Sequence, residues 1–176
     1  MDLRVDQFDY RLSPDRIAQR PAVPRDAARL MVVDRATGRI DHHLVRDLPG
    51  LLPGPMLLVL NNTRVIRARL FGRKPSTGAR IELLLLRPLE EDQWQTMARP
   101  AKRLHPGDEL EFPGARAMVT SRDGAFATVR FQVSGSFTSF LEQAGAVPLP
   151  PYISRPGGRA DAADEEQYQT VFSVAP

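Results

Sequence analysis

Two periodicities divide the chain. From Thr63 onward apolar and polar residues alternate with the period of two expected of half-exposed strands, so that Ile66, Ala68 and Leu70 point one way and Arg67 and Arg69 the other. The alternation continues through "ARIELLLLRP", "QWQTMARP", "DELEF", "ARAMVTS" and "AFATVRFQV". In the last of these Ala127, Val129, Phe131 and Val133 face in, while Thr128, Arg130 and Gln132 face out. Asp123-Gly124, which suits the positive-φ positions of a tight turn, joins the last two segments as a hairpin. Short strands punctuated by Gly and Pro in this density predict a small barrel or sandwich. "SFTSFLEQAG" then changes to helical spacing, with Ser136 as cap, Phe137, Phe140, Leu141 and Ala144 on one side, and Gly145 at the end.

The flanks read differently. "LSPDRIAQRP" predicts a short helix capped by Ser13, opened by Pro14 and stopped by Pro21. "RLMVVD", a "RATG" turn and "RIDHHLV" predict a hairpin from Arg29 to Val45, with Ile40, His42 and Leu44 on one face. "MLLVLN" is apolar without alternation, the pattern of a strand covered on both faces. Past the β-rich stretch, "VPLPPYISRPGGR" is too rich in proline for regular structure and predicts a crossing between domains. A helical "ADAADEEQYQ" and a strand-like "TVFSV" follow. The expected organisation is a mixed α/β domain portion (1–62), an inserted small antiparallel β-barrel domain with a short helix near its end (63–146), and a segment returning into the α/β domain (147–176).

Composition narrows the function classes. The chain has 176 residues, 42% hydrophobic and 26% charged, and no cysteine, so disulfides and thiolate ligands are excluded. No run approaches the ~18 apolar residues of a membrane span, and "MDLRVDQFDY" lacks the basic start of a signal peptide. A cytoplasmic protein without membrane contact is expected. Net charge is +3, yet residues 61–116 alone hold eleven Lys/Arg against seven Asp/Glu, a local +4. The β-rich stretch therefore carries the positive charge and points to an anionic partner, nucleic acid first. "NNTRVIRARLFGRK" holds five of these cations and no acid.

The candidate cations are Arg64, Arg67, Arg69, Arg73, Lys74, Arg99, Lys102 and Arg103. Each phosphate they neutralise on a single strand should contribute about −0.7 to the slope of log K against log salt. Trp94, Phe71 or Tyr152 is either a stacking platform for a splayed base or a core aromatic. Asn61, Asn62 and Thr63 sit where an apolar run emerges; they either contact a ligand, with Arg64 on a phosphate or carboxylate, or form a self-satisfied turn. Asp9, Asp26 and Asp34 are isolated carboxylates, each either a base or, as the safer account, a cap or turn residue, and "EED" (90–92) and "DEE" (164–166) are most simply solvated charge. His42 and His43 are strand neighbours and point to opposite faces, which prevents joint metal ligation. His105 either joins a phosphate site or is an exposed loop residue. The chain has no Gly-rich phosphate loop, nucleophile elbow or metal spacing, and no residue is singled out as catalytic.

Five ordered segments carry a resemblance to a known family. "VDQFDYRLSPDRIAQRPAVPRDAARLMVVDR", "NNTRVIRARLFGR", "RPAKRLHPGDELEF", "VPLPPYISRP" and "EQYQTVF" resemble the N-terminal half of the S-adenosylmethionine:tRNA ribosyltransferase-isomerases of queuosine synthesis. The resemblance implies an α/β domain with an inserted β-barrel, and a monomer. It also implies transfer and isomerisation of the ribosyl moiety of S-adenosylmethionine onto a 7-aminomethyl-7-deazaguanine at the tRNA wobble position. The product would be epoxyqueuosine, with adenine and methionine leaving and no metal required. Asn62 stands where the family usually has Asp, and Arg67 where it usually has Pro. The chain stops at "VFSVAP", about half the family's length, so an N-terminal portion or a short relative is expected; the alternative to an enzyme is a non-catalytic RNA-binding or assembly module.

On this resemblance Arg64, Arg69, Arg99, Lys102 and Arg103 are expected to contact the tRNA anticodon loop, with Arg67 and Arg73 left open. Asn61, Asn62 and Thr63 are expected near substrate. Tyr152 and Arg155 either line a cleft between domains or pack the linker.

Overall fold

Leu70, Ile81, Leu83, Leu110, Val119 and Val129 are at most 2% exposed, and all come from one antiparallel sheet. The structure, a computed structural model, describes residues 3–90 and 92–173. It consists of two compact units. One runs to Leu60 and includes Tyr152–Ser154; the other comprises Asn61–Pro151 and the residues from Arg155 onward.

In the first unit β1 (Arg29–Val33) pairs with β2 (Ile40–Leu44) as expected, Arg29 opposite Leu44 and Val33 opposite Ile40. Asp34 closes the hairpin: its Oδ1 accepts from the amides of Ala36 and Thr37, each at 2.9 Å. The Thr37 amide first, then the Thr37 hydroxyl and the Ala36 amide, hold this carboxyl below its ordinary 3.8. The helix expected in "LSPDRIAQRP" is only a three-residue 3-10 turn, Pro14–Arg16, and the Ser13 side chain does not cap it. So short a segment cannot repay the cost of helix nucleation. Further 3-10 turns and one helical turn, α1 (Leu48–Leu51), complete the regular structure of this unit.

The strand expected at "MLLVL" is not formed. Residues 56–60 have no ladder partner among the described residues, and Leu57 and Val59 are 89% and 84% exposed. A doubly covered strand needs neighbours on both edges and layers on both faces. The first unit offers a single two-stranded hairpin instead.

The second unit is a six-stranded closed antiparallel barrel. Its strands are β3 (Arg69–Arg73), β4 (Arg80–Pro88), β5 (Gln93–Arg99), β6 (Glu109–Phe112), β7 (Ala115–Asp123) and β8 (Phe126–Val133). They are ordered β4-β5-β8-β7-β6-β3, and β3 pairs back onto β4 to close the ring. Alternation fills the interior with Ile81, Leu83 and Leu85 from β4 and Ala127, Val129 and Phe131 from β8. Register shifts between Leu85 and Arg87 and between Val119 and Ser121 lie on the two nine-residue strands, where bulges increase the bend that closure requires. The buried Thr96 hydroxyl donates to the Ala127 carbonyl at 2.9 Å, so this core polar group is satisfied. Gly72 permits close approach: a Cβ there would lie 2.5 Å from the Phe112 ring and 2.6 Å from the Glu111 carbonyl oxygen.

Helix α2 (Phe137–Ala144) packs on the barrel with the predicted face inward. Ser136 Oγ accepts from the Ser139 amide at 3.1 Å. Phe137 stacks on Trp94 with centroids 5.2 Å apart and meets Phe131 edge-on at 5.3 Å. A two-residue strand, β9 (Gly145–Ala146), then pairs with Arg69 and Leu70 of β3. Helix α3 (Ala162–Gln167) forms where acidic helical sequence was expected, opened by a capping box between Asp161 and Asp164. The strand expected at "TVFSV" is a turn over the described residues 170–173; Val174 lies outside them, as does Glu91 of "EED". Among the described residues no helix is long and apolar enough to cross a membrane.

Candidate functional site

Strand β3 carries the basic face of the barrel. Alternation sends Leu70 inward and places Arg69, Phe71 and Arg73 on the opposite side. Across the sheet Arg73 faces Arg80, Phe71 faces Glu82, and Glu82 faces Arg99. Like charges directly opposite one another are destabilising, so the Arg73–Arg80 pair is not something sheet stability favours. Arg73 is relieved by Glu111, with Nη2 2.8 Å from Oε2. Arg80 has no ion-pair partner among the described residues. A groove of about 930 Å³ runs over this face, and its walls include Arg73, Arg80, Arg99, Arg159, Phe71 and Glu82. The Arg159 guanidinium lies over the Phe71 ring, 5.0 Å from its centroid.

The eight cations singled out from sequence separate into two groups of four. Arg67 pairs with Glu165 at 2.7 Å, Arg69 with Glu82 at 3.2 Å, Arg73 with Glu111 at 2.8 Å, and Lys74 with Asp108 at 2.7 Å. These four are engaged by carboxylates of the barrel unit, Lys74 and Arg69 in the more buried pairs and Arg73 in the most exposed one. Arg69 also donates from Nη2 to the Leu149 carbonyl at 3.0 Å; its Nε faces Glu82 without hydrogen-bond alignment. Arg64, Arg99, Lys102 and Arg103 are exposed and have no ion pair among the described residues. Arg99 ends β5, and Lys102 and Arg103 occupy the 3-10 turn that follows it, so three of the four come from one short stretch.

The remaining predicted residues are not gathered at this face. Asn61 Oδ1 accepts from the Thr63 amide at 2.9 Å and the Thr63 hydroxyl at 2.6 Å, a turn that satisfies itself. Asn62 is exposed beside them. Arg64 lines a second groove with Arg67, Glu165 and Gln169, in a region fastened by Gln169: its side chain exchanges hydrogen bonds with the Val65 backbone at 2.8 and 3.0 Å. Arg155 is buried against Asp164 within the barrel unit. Tyr152 belongs to the first unit, 58% exposed, with its carbonyl accepting from Gln19 Nε2 at 3.0 Å. Trp94 is taken up by the Phe137 stack, while Phe71 is left half-exposed outside the core.

Sequence reading missed Arg80 and Arg159. Arg80 was legible in principle, because "KPSTGA" is a hairpin loop and the first strand residue after it faces the last before it. Arg159 lies in the proline-rich stretch, where no periodicity fixes position.

Asp108 is pushed up by burial. Hydrogen bonds from Lys74 and the His105 amide, with the charges of Lys74 and His105, outweigh this and hold it below 3.8. Like Asp34, it is a structural carboxylate. Among the described residues no group of three or more His, Asp and Glu is placed to hold a metal ion.

Residues 5–176 match the family described as "Queuosine biosynthesis protein". The S-adenosylmethionine:tRNA ribosyltransferase-isomerase of Heliobacterium modesticaldum is 43% identical over 174 residues, covering 97% of this chain and 50% of that protein. The enzyme of the same name from Desulfitobacterium hafniense is 43% identical over 175 residues with the same coverage. The solved S-adenosylmethionine tRNA ribosyltransferase of Thermotoga maritima is 43% identical, with 72% of this chain and 44% of that one covered and a TM-score of 0.35. The chain thus spans about half the length of the curated relatives it matches.

Proposed function

From the premise that the chain belongs to the queuosine biosynthesis protein family, we propose that it supplies the RNA-holding part of a tRNA ribosyltransferase-isomerase. The observation that carries this reading is a set of exposed barrel cations without an ion pair among the described residues, Arg80, Arg99, Lys102 and Arg103. Arg67, Arg69, Arg73 and Lys74 are instead consumed by ion pairs. A fold that neutralises some of its cations internally and leaves another set exposed on one module has a surface suited to a polyanion.

The substrate is then a tRNA bearing 7-aminomethyl-7-deazaguanine at the wobble position, held by its anticodon loop, and the ribosyl donor is S-adenosylmethionine. The donor's sulfonium supplies the acidified carbon and the leaving group. The residues described here bind and orient RNA: guanidinium groups on phosphates, and the exposed Asn62 as an amide contact. Arg64, in its own groove, is the described cation available to a methionine carboxylate.

The test is to mix the chain with S-adenosylmethionine and the modified tRNA and to measure released adenine and methionine together with tRNA binding. Adenine release with salt-sensitive binding supports the transferase reading for this chain. Salt-sensitive binding without adenine supports the second reading, an RNA-binding module without turnover. Absence of tRNA binding overturns both.

A further inference from the structure

Phe71 is a half-exposed aromatic side chain on the outer face of the barrel, whereas Phe112 and Phe131 point into its core; Phe126 and Phe172 of the same unit are exposed as well. What sets Phe71 apart is its neighbours. Arg73 and Arg80 stand beside it along the hairpin, Arg99 lies across Glu82 in its own row, and Arg159 covers the ring at 5.0 Å. The two carboxylates of the groove are already engaged, Glu82 with Arg69 and Glu111 with Arg73. Arg80, Arg99 and Arg159 are therefore three guanidinium groups without an acidic partner among the described residues, around one half-exposed ring.

We infer that Phe71 is a stacking platform for one unpaired base of a single-stranded RNA segment, with the flanking phosphates on Arg80 and Arg99. This rests on the RNA-binding reading above and names the site and the strandedness of the ligand. An aromatic floor ringed by cations combines the two elements of single-strand recognition, a π-face for the base and charge for the backbone. A double helix presents no free base face and gains only the charge term.

Arg159 occupies the base's place in the free protein. A base between the ring and the guanidinium needs about 7 Å, two van der Waals separations. Entry therefore lifts Arg159 by roughly 2 Å from its observed 5.0 Å, after which its planar face stacks on the exposed side of the base. The groove's volume of about 930 Å³ accommodates a nucleotide with its flanking phosphates.

The test uses the full chain and a short RNA stem-loop with 2-aminopurine in the loop, with the matching duplex and the matching single-stranded DNA as comparison arms. Binding of the stem-loop above the duplex, with a change in 2-aminopurine fluorescence, is expected. Phe71→Leu should weaken stem-loop binding roughly tenfold or more and abolish the fluorescence change, while the salt slope stays the same. Arg80→Gln should lower the slope by about 0.7 and keep the fluorescence change. Arg159→Lys, which keeps the charge but loses the planar face, should weaken binding at an unchanged slope. DNA binding as tight as RNA would extend the site to single strands in general, with the stacking claim upheld. If the stem-loop binds but Phe71→Leu has no effect on affinity or fluorescence, the platform is wrong and the RNA-binding reading stands. If neither RNA form binds, or polyglutamate competes as well as RNA, that reading falls and the platform with it. Unchanged thermal unfolding of Phe71→Leu shows that a loss is not one of folding, and Arg159→Lys supplies an independent check.

Discussion

Arg155 and Asp164 form a bidentate ion pair, Nε to Oδ2 at 2.7 Å and Nη2 to Oδ1 at 2.6 Å, with the side chains only 6% and 4% exposed. The same Asp164 carboxylate accepts the Asp161 amide at 3.0 Å at the start of α3, so one acid fixes both the proline-rich segment and the helix. Arg155→Ala leaves this carboxylate buried and is expected to cost about 3–5 kcal/mol. Arg155→Met combined with Asp164→Leu, which removes both charges, should recover much of the loss. Urea unfolding of the unmodified protein and the two variants checks the order; an unaffected Arg155→Ala would mean the pair is open in solution.

Gly72 is expected to tolerate no side chain. Gly72→Ala puts a Cβ against the Phe112 ring and the Glu111 carbonyl. Overpacking of this kind costs about 1–3 kcal/mol. Gly78→Ala provides the contrast: nothing lies within 4 Å of its Cβ, and the only strain is its φ of +68°. Thermal unfolding should show Gly72→Ala as the more damaging change.

Acid should weaken the barrel partly through Asp108. Its folded pKa lies below the unfolded 3.8, so its stabilisation is fully present above pH 3.8 and is lost as pH falls from there through the depressed folded value. Asp108→Asn removes it at all pH values. The variant is expected to be less stable by about 1–3 kcal/mol at neutral pH and to show a shallower loss below pH 3.8. Unfolding free energies measured across that window test this, and parallel curves for the two proteins would contradict it.

Much of the barrel was legible because alternation, turn glycines and the Ser136 cap agree with one another. The strands over Arg80–Pro88, Gln93–Arg99, Glu109–Phe112, Ala115–Asp123 and Phe126–Val133 lie where periodicity put them. "MLLVL" misled because an apolar run states a need for cover without saying whether cover is present. The site was legible only in part. Charge density located the cations on the right module, but which ones are free depends on partners such as Glu165, Glu82 and Asp108, and ion pairing across long sequence separation has no local signature. Phe71 and Trp94 differ for the same reason: each sits in a strand, and only the helix carrying Phe137 decides which ring is covered.

The central claim is that the unpaired cations, and not the paired ones, hold RNA. The most direct measurement is the salt dependence of tRNA binding for single Gln variants. Arg99→Gln, Lys102→Gln and Arg103→Gln should each reduce the slope of log K against log salt by about 0.7 with little change in stability. Arg67→Gln, Arg69→Gln and Lys74→Gln should lower stability and leave the slope unchanged. Equal slopes for the first three variants and the unmodified protein, or slope losses confined to the second three, would contradict the account.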